Sequence, residues 1–180
     1  IPTIGRKKYL YNVLLDLSKQ THLPINVIIV EQNPELNSNS ELDYLNSENW
    51  PFNIKHVFTH QLGVCNARNI ALSFVESEWT FLGDDDNRFK NSLLETIFNK
   101  IEKLGAKVLT TVYIQPHEEQ QFFKTAQTSI FGSGNSFVKS DLLKYVKFNT
   151  SFEFNYGEDS DFGMQLRRSG ADVIYLADTV

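Results

Sequence analysis

A single cysteine, Cys65, excludes an internal disulfide and any zinc site built from cysteines. It also fits a reducing compartment. No stretch approaches the ~18 consecutive apolar residues of a membrane-spanning helix, and no signal segment opens the chain. Basic charge is scarce: 17 Lys and Arg stand against 22 Asp and Glu, for a net charge of −5. Without a basic footprint a nucleic-acid partner is excluded as an expectation. The acidic excess is too mild to name a partner. Familiar motifs are missing as well. There is no G-x-x-x-x-G-K-[ST] phosphate loop, no G-x-G-x-x-G opening a helix after a strand, and no G-x-S-x-G elbow. The four histidines, His22, His56, His60 and His117, fall at no metal-ligand spacing.

What remains is a chain of 180 residues, 41% apolar and 22% charged, the profile of one folded domain. At that length roughly two thirds of the unfolded surface is buried on folding. The chain opens at Ile1-Pro2-Thr3, as though entering mid-strand, and ends at Val180 soon after an apolar run. It is read as a single domain over 1–180, a fragment of a longer protein.

Periodicity predicts alternating helices and strands. Leu10, Val13, Leu14 and Leu17 share one face of a helix over 7–20, and "NVIIV" (26–30) is a buried strand ending at Glu31. Residues 33–53, rich in Asn, Ser and Glu, are expected to form a long surface loop. "IKHVF" (54–58) is a strand. A helix follows Gly63 with Ala67, Ile70, Ala71 and Phe74 on one face. "EWTFL" (78–82) is the next strand. Ser92 and Glu95 form a capping-box pattern ahead of a helix closed by Gly105. "KVLTTVYI" (107–114) is a strand, and 116–127 is expected to be loop-like. A short strand and a helix capped by Ser140 are expected over 133–146. A helix over 158–170 and a strand over 172–176 finish the pattern. Such alternation predicts an α/β fold with a mostly parallel central sheet flanked by helices. In such sheets ligands bind beyond the carboxyl ends of the strands.

Glu31 and the Asp84–Asp86 trio are expected just past such ends, and a second acidic cluster opens the last helix. "FLGDDDN" (81–87) sets Asp84, Asp85 and Asp86 directly behind a strand. Three adjacent carboxylates repel one another, so the trio is either a solvated turn or a seat for a cation. Hard oxygen ligands suit Mg²⁺ or Mn²⁺, ions commonly completed by substrate phosphates. The position behind an apolar strand favours the cation. "YGEDSDFG" (156–163) places Glu158, Asp159 and Asp161 at a helix start, where the helix dipole alone would favour them. A carboxylate there also suits a general base. Asn66, Arg68 and Asn69 open the helix after Gly63, with Arg68 placed to pair with a phosphate or with one of the carboxylates. Gly132 and Gly134 allow a tight turn or a close backbone approach.

In order, "IPTIGR" (1–6), "VIIVEQ" (27–32), "GVCNARNIAL" (63–72), "FLGDDDN" (81–87), "GSGNSFVKSDLL" (132–143) and "GEDSDFGMQLRRSG" (157–170) span nearly the whole chain. Together these segments resemble family 2 glycosyltransferases, with their nucleotide-sugar-binding GT-A fold. The resemblance implies an inverting, metal-assisted transfer from a UDP- or GDP-sugar to a glycan or lipid-linked acceptor, with Mg²⁺ or Mn²⁺ as cofactor. It also implies a cytoplasmic setting and a role in bacterial surface polysaccharide or glycan synthesis. Thr3 and Arg6 would lie at the nucleotide edge, and Glu31 would stand where the family usually has an aspartate that reads the base. Arg68 would sit near the nucleotide phosphates. Asp84 and Asp86 would ligate the metal, with Asp84 and Asp85 on the donor. Asp159, in the "ED" motif, would be the catalytic base. Gly83 stands where some members place the first Asp of D-x-D, and the Q-x-x-R-W pattern of processive synthases is absent. Acceptor recognition would fall to the loops 33–53 and 115–128. Two rivals are a sugar-nucleotide-forming nucleotidyltransferase, for which "IPTIGRKKYL" is a poor glycine-rich loop, and a non-catalytic nucleotide-sugar-binding module.

Overall fold

The computed structural model describes residues 1–112 and 124–177. The expected strand at 107–114 therefore appears only in part, and most of the stretch 116–127 lies outside the described residues, as does His117. Helix α1 (Lys7–Ser18) buries Leu10, Val13, Leu14 and Leu17, the face its spacing predicts. Strands β1 (Pro2–Thr3), β2 (Asn26–Gln32) and β3 (Asn53–Thr59) form a parallel sheet in the order β1-β2-β3. Thr3 pairs with Glu31 in its register. Glu31 thus lies inside β2 rather than after it.

The second sheet is built from β4 (Trp79–Gly83), β5 (Val108–Thr111), β6 (Ala126–Gln127), β7 (Asn135–Lys139) and β8 (Val173–Leu176), in the order β4-β7-β5-β8-β6. Here β5 and β8 are parallel, while β7 runs antiparallel between β4 and β5. This is the α/β architecture expected, with one reversal that matters to the site. Because β7 is antiparallel and pairs Gly83 with Asn135, its first residues meet the end of β4.

Three local expectations are corrected. The 33–53 stretch is not only a surface loop. It contains a short helix, α2 (Tyr44–Ser47), and sends Leu42, Tyr44, Leu45 and Phe52 into the core beside α1. Its polar composition masks a few apolar anchors too widely spaced to show a period. The capping box at α4 (Leu93–Leu104) does not form: Glu95 accepts from the Thr21 hydroxyl, and the Leu94 amide donates to Gln20 Oε1 instead. A side chain from the end of α1 satisfies that orphan amide, a partner no local pattern reveals. Gly105 does close α4 in the left-handed region, at φ 59°. After β7 there is only a 3-10 turn over Leu142–Lys144, not a helix, and the Ser140 hydroxyl pairs with Thr80 rather than capping.

Helix α3 (Val64–Leu72) buries Cys65, Ala67, Arg68 and Leu72. Phe74 falls past its end and is 40% exposed, so the face predicted for it is turned from the expected one. Helix α5 (Glu158–Arg168) is followed by Gly170 at φ 80° and packs Phe162 and Leu166 on the core with Phe131 and Phe148. An apolar cavity of about 360 Å³ opens between β2 and β4, lined by Leu23, Ile25, Phe74 and Phe98 among others. It reaches the acidic edge only at Arg68, Gly83 and Ser133.

Candidate active site at the acidic strand edge

The carboxyl end of β4 delivers the three aspartates, and each is held differently. Asp85 is buried, 4% exposed. Its carboxylate accepts from the Thr3 hydroxyl at 2.7 Å and pairs with Arg6 Nη1 at 3.0 Å. Burial raises the Asp85 carboxyl above the usual aspartate value; Thr3 and Arg6 oppose the rise, and Asp86 and Asp84 add to it. Asp86 is half-exposed and pairs with Arg6 Nη2 at 2.5 Å. Asp84 is also half-exposed, and its Oδ1 accepts from Arg68 Nη2 at 2.7 Å. The Asp84 amide donates to Asn87 Oδ1 at 2.7 Å, which folds the turn back on itself. Beyond the turn, Asp16 on α1 accepts a two-pronged bond from Arg88 (2.6 and 2.9 Å) and one from the Phe89 amide (3.0 Å). The aspartate turn is thus pinned at both ends.

The antiparallel register of β7 brings the small residues ahead of Asn135 to this turn. A Cβ on Gly134 would meet Asp84 Oδ2 at 2.3 Å, so glycine there makes room for the carboxylate. Gly134 thus lies against the aspartate turn, while Gly132 closes a turn by accepting from the Asn135 amide at 3.3 Å.

Arg68 joins the two acidic clusters. It is buried, and its second nitrogen, Nη1, lies 3.8 Å from Asp159 Oδ1 and 3.9 Å from Glu158 Oε1 on the first turn of α5. Thus Asp84 and Asp159, 75 positions apart, share one guanidinium. Arg68 Nη1, Asp159 Oδ1, Asn66 Nδ2 and Ser133 Oγ are shielded from solvent and have no hydrogen-bond partner among the described residues. Such groups are uncommon in folded proteins and mark places where a ligand or water belongs.

Among the described residues no three carboxylate, imidazole or thiol groups converge in the way a metal cage requires. The edge nevertheless suits a divalent ion shared with a phosphate ligand. Two guanidiniums face five carboxylates, leaving negative charge in excess. Asp84 and Asp86 are the half-exposed members of the trio, whereas the oxygens of Asp85 are engaged in protein contacts. Magnesium-like ions commonly take only one or two carboxylates and leave the rest of their shell to water and phosphate.

Glu31 lies at the same edge, buried and fully engaged. It accepts from Ser40 Oγ at 2.5 Å and from the Glu41 amide at 3.1 Å, and His56 Nε2 lies 2.9 Å away. Two of these partners, Ser40 and Glu41, come from the 33–53 segment, and His56 comes from β3. The sequence missed Asp16 and also Glu153. The Glu153 carboxylate accepts from the Cys65 and Asn66 amides at 3.1 and 2.6 Å and so caps α3, the helix that carries Arg68. Neither residue carries a local signature, because each acts on an element distant in sequence.

The chain is similar to known proteins in sequence and in fold. At 24% identity over 130 residues, the chain is similar to glycosyltransferase GlyG of Streptococcus pneumoniae serotype 4, covering 71% of this chain and 43% of that protein. Its fold matches residues 1–349 of TarS from S. aureus with a TM-score of 0.79 at 21% identity, covering 98% of this chain and 56% of that one. It also matches the mannosyltransferase PcManGT from Pyrobaculum calidifontis, solved with GDP-Man and Mn²⁺, with a TM-score of 0.74 at 18% identity, covering 99% of this chain and 54% of that one. The chain spans about half the length of these relatives. Among the described residues no helix is long and apolar enough to cross a membrane. The model of the glycosyl transferase family 2 matches residues 1–168, so the chain belongs to that family and carries its GT-A fold.

Proposed function

We propose that the chain is the donor-binding and catalytic part of an inverting glycosyltransferase. It would move a hexosyl or N-acetylhexosaminyl group from a UDP- or GDP-sugar to a hydroxyl of a glycan or lipid-linked acceptor. The single observation behind this reading is the Arg68 bridge, which sets a candidate donor carboxylate, Asp84, and a candidate base, Asp159, on one guanidinium. Structures of TarS with UDP and with UDP-GlcNAc, and of PcManGT with GDP-Man and Mn²⁺, support the donor class. A setting in bacterial surface polysaccharide or glycan synthesis is part of the proposal; GlyG and TarS are both bacterial proteins.

In this mechanism Asp159 accepts the proton of the acceptor hydroxyl as that oxygen attacks the anomeric carbon of the donor sugar. The bond from that carbon to the diphosphate breaks on the opposite face, which inverts the configuration and needs no covalent intermediate. Arg68 holds Asp84 and contributes positive charge where the diphosphate lies. Thr3 and Arg6 hold Asp85 and Asp86 at the nucleotide edge, and Glu31, itself buried, would border the base through the residues that hold it. Mg²⁺ or Mn²⁺ held by Asp84 and Asp86 would neutralise charge on the leaving diphosphate. Gly134 keeps the space beside Asp84 open.

The test uses the full-length protein. UDP and GDP are titrated calorimetrically with Mn²⁺ and again with EDTA, and transfer is assayed for the native protein and Asp159→Asn. Metal-dependent binding with loss of transfer in the variant supports the reading. Near-normal turnover in Asp159→Asn would sink it, and nucleotide binding without any transfer would favour a non-catalytic module.

A further inference from the structure

We propose that Phe154 and Tyr156 form the seat for a sugar ring of the acceptor, beside Asp159; this rests on the transferase reading above. Among the described residues three aromatic side chains are more than 80% exposed: Tyr145 at 84%, Phe154 at 82% and Tyr156 at 100%. Two of them lie within five residues of Asp159, on the segment that turns through Gly157 at φ 114° into α5. Large apolar groups turned outward in this way are informative when they cluster beside polar chemistry.

The segment that carries them is fixed. Asn149 caps the 3-10 turn over Thr150–Phe152 by accepting from the Ser151 amide. Phe152 is partly buried and packs against the core. Glu153 is tied by two backbone amides to the start of α3. The Asn155 amide donates to the Phe152 carbonyl. Between these anchors Phe154 sits at φ 63°, the only non-glycine residue with positive φ among those described. A bulky residue in that region is strained, and strain of this kind gathers at ligand sites. The backbone at Phe154 is therefore held in a costly shape, on a segment where Phe154 and Tyr156 are both exposed.

The chemistry of the patch selects its occupant. Along the chain the two rings are interleaved with and flanked by polar residues, among them Ser151, Asn155 and Glu158, with Asn155 and Ser151 exposed. A small apolar surface with a polar rim matches a pyranose or furanose ring, which has one C–H face and a rim of hydroxyls. That face stacks on an aromatic ring while the hydroxyls stay hydrogen-bonded. Tyr156 stands three residues and Phe154 five residues before Asp159, so the proposed seat adjoins the helix start that carries the candidate base.

The experiment reads glycan capture by the full-length protein on an immobilised oligosaccharide array, without nucleotide, alongside calorimetric UDP binding with Mn²⁺. Phe154→Gly removes the ring and relieves the positive φ, so its melting temperature is expected to hold or rise. The double variant Phe154→Gly/Tyr156→Ala is expected to lose about tenfold or more in capture, with UDP binding unchanged. Tyr156→Phe keeps the ring and is expected to retain capture. Equal capture by the double variant overturns the proposal, as does a native protein that captures no glycan. Absence of UDP and GDP binding by the native protein counts against the transferase reading alone, because capture is read without nucleotide.

Discussion

Arg68 Nη1 faces Asp159 Oδ1 across 3.8 Å, and neither atom has a hydrogen-bond partner among the described residues although both are shielded from solvent. The Asp159 side chain as a whole keeps 35% exposure. With Oδ1 turned to Arg68, Oδ2 is the oxygen that solvent and an acceptor can reach. One oxygen thus faces the guanidinium, and in the proposed mechanism the other takes the proton. The pair sits just beyond hydrogen-bond length, a spacing that a small closure on ligand binding would shorten.

Asp159→Asn keeps the shape of the side chain and removes its basicity. Transfer is expected to fall by ~10²- to 10⁴-fold, the usual contribution of a positioned base. Nucleotide affinity should stay within error, as measured by calorimetry on the same preparation.

The Arg68 and Asp84 pair is expected to couple energetically, because the guanidinium is buried and its partner only half-exposed. A double-mutant cycle with Arg68→Met and Asp84→Asn, followed by urea unfolding, should give about 1–3 kcal/mol. The Lys7 and Asp43 pair is as short, at 2.5 Å, but lies open to solvent. Its cycle should show no measurable coupling, since screening and side-chain entropy cancel such contacts.

Gly134→Ala places a methyl group where Asp84 Oδ2 now lies, 2.3 Å from the new carbon. The carboxylate must swing away. Metal-dependent UDP affinity is expected to weaken by about tenfold, or ~1.4 kcal/mol, while binding in EDTA changes little. Equal affinities with Mn²⁺ would mean that Asp84 does not serve the donor.

Asp16 provides the pH prediction. Burial alone would raise its carboxyl, but the Arg88 fork and the Phe89 amide outweigh that and hold it below the ordinary aspartate value of 3.8. Its stabilisation is therefore complete above 3.8 and is lost as pH falls through the lowered folded value. Asp16→Asn should cost about 1–2 kcal/mol at neutral pH, with Arg88's exposure limiting the figure, and the deficit should shrink in acid. Urea unfolding at pH 7 and below pH 3.8 measures both.

Cys65 is buried, and burial pushes its thiol up to about 11, with the nearby Glu153 carboxylate acting in the same direction. It should resist thiol reagents at neutral pH until the protein unfolds. Glu153→Ala removes the cap on α3 and should cost about 0.5–2 kcal/mol. The rate of Cys65 labelling should rise in that variant.

Much of this was legible in the chain. The period of Leu10, Val13, Leu14 and Leu17 specified α1, because an apolar stripe can be buried only on one side of a helix. The order of strands and helices specified the α/β class, and the acidic clusters fell at strand and helix ends as read. The buried face of α3 was not legible, since Arg68 enters the interior through carboxylates supplied by two other elements. Nor was the cap of α4, which comes from Gln20, just past the end of α1.

Sequence alone determined which residues carry charge, the order of strands and helices and the buried face of α1, because these depend on neighbours one helical turn or one strand pleat away. Tertiary structure decided which charges meet. The reversal of β7 put Gly134 against Asp84, and the packing of α3 between the clusters put Arg68 between Asp84 and Asp159. Coulombic pairing and burial depend on distance in space, and here the chain closes gaps of 16 to 91 residues from Arg68 and 82 from Thr3 to Asp85 to set it.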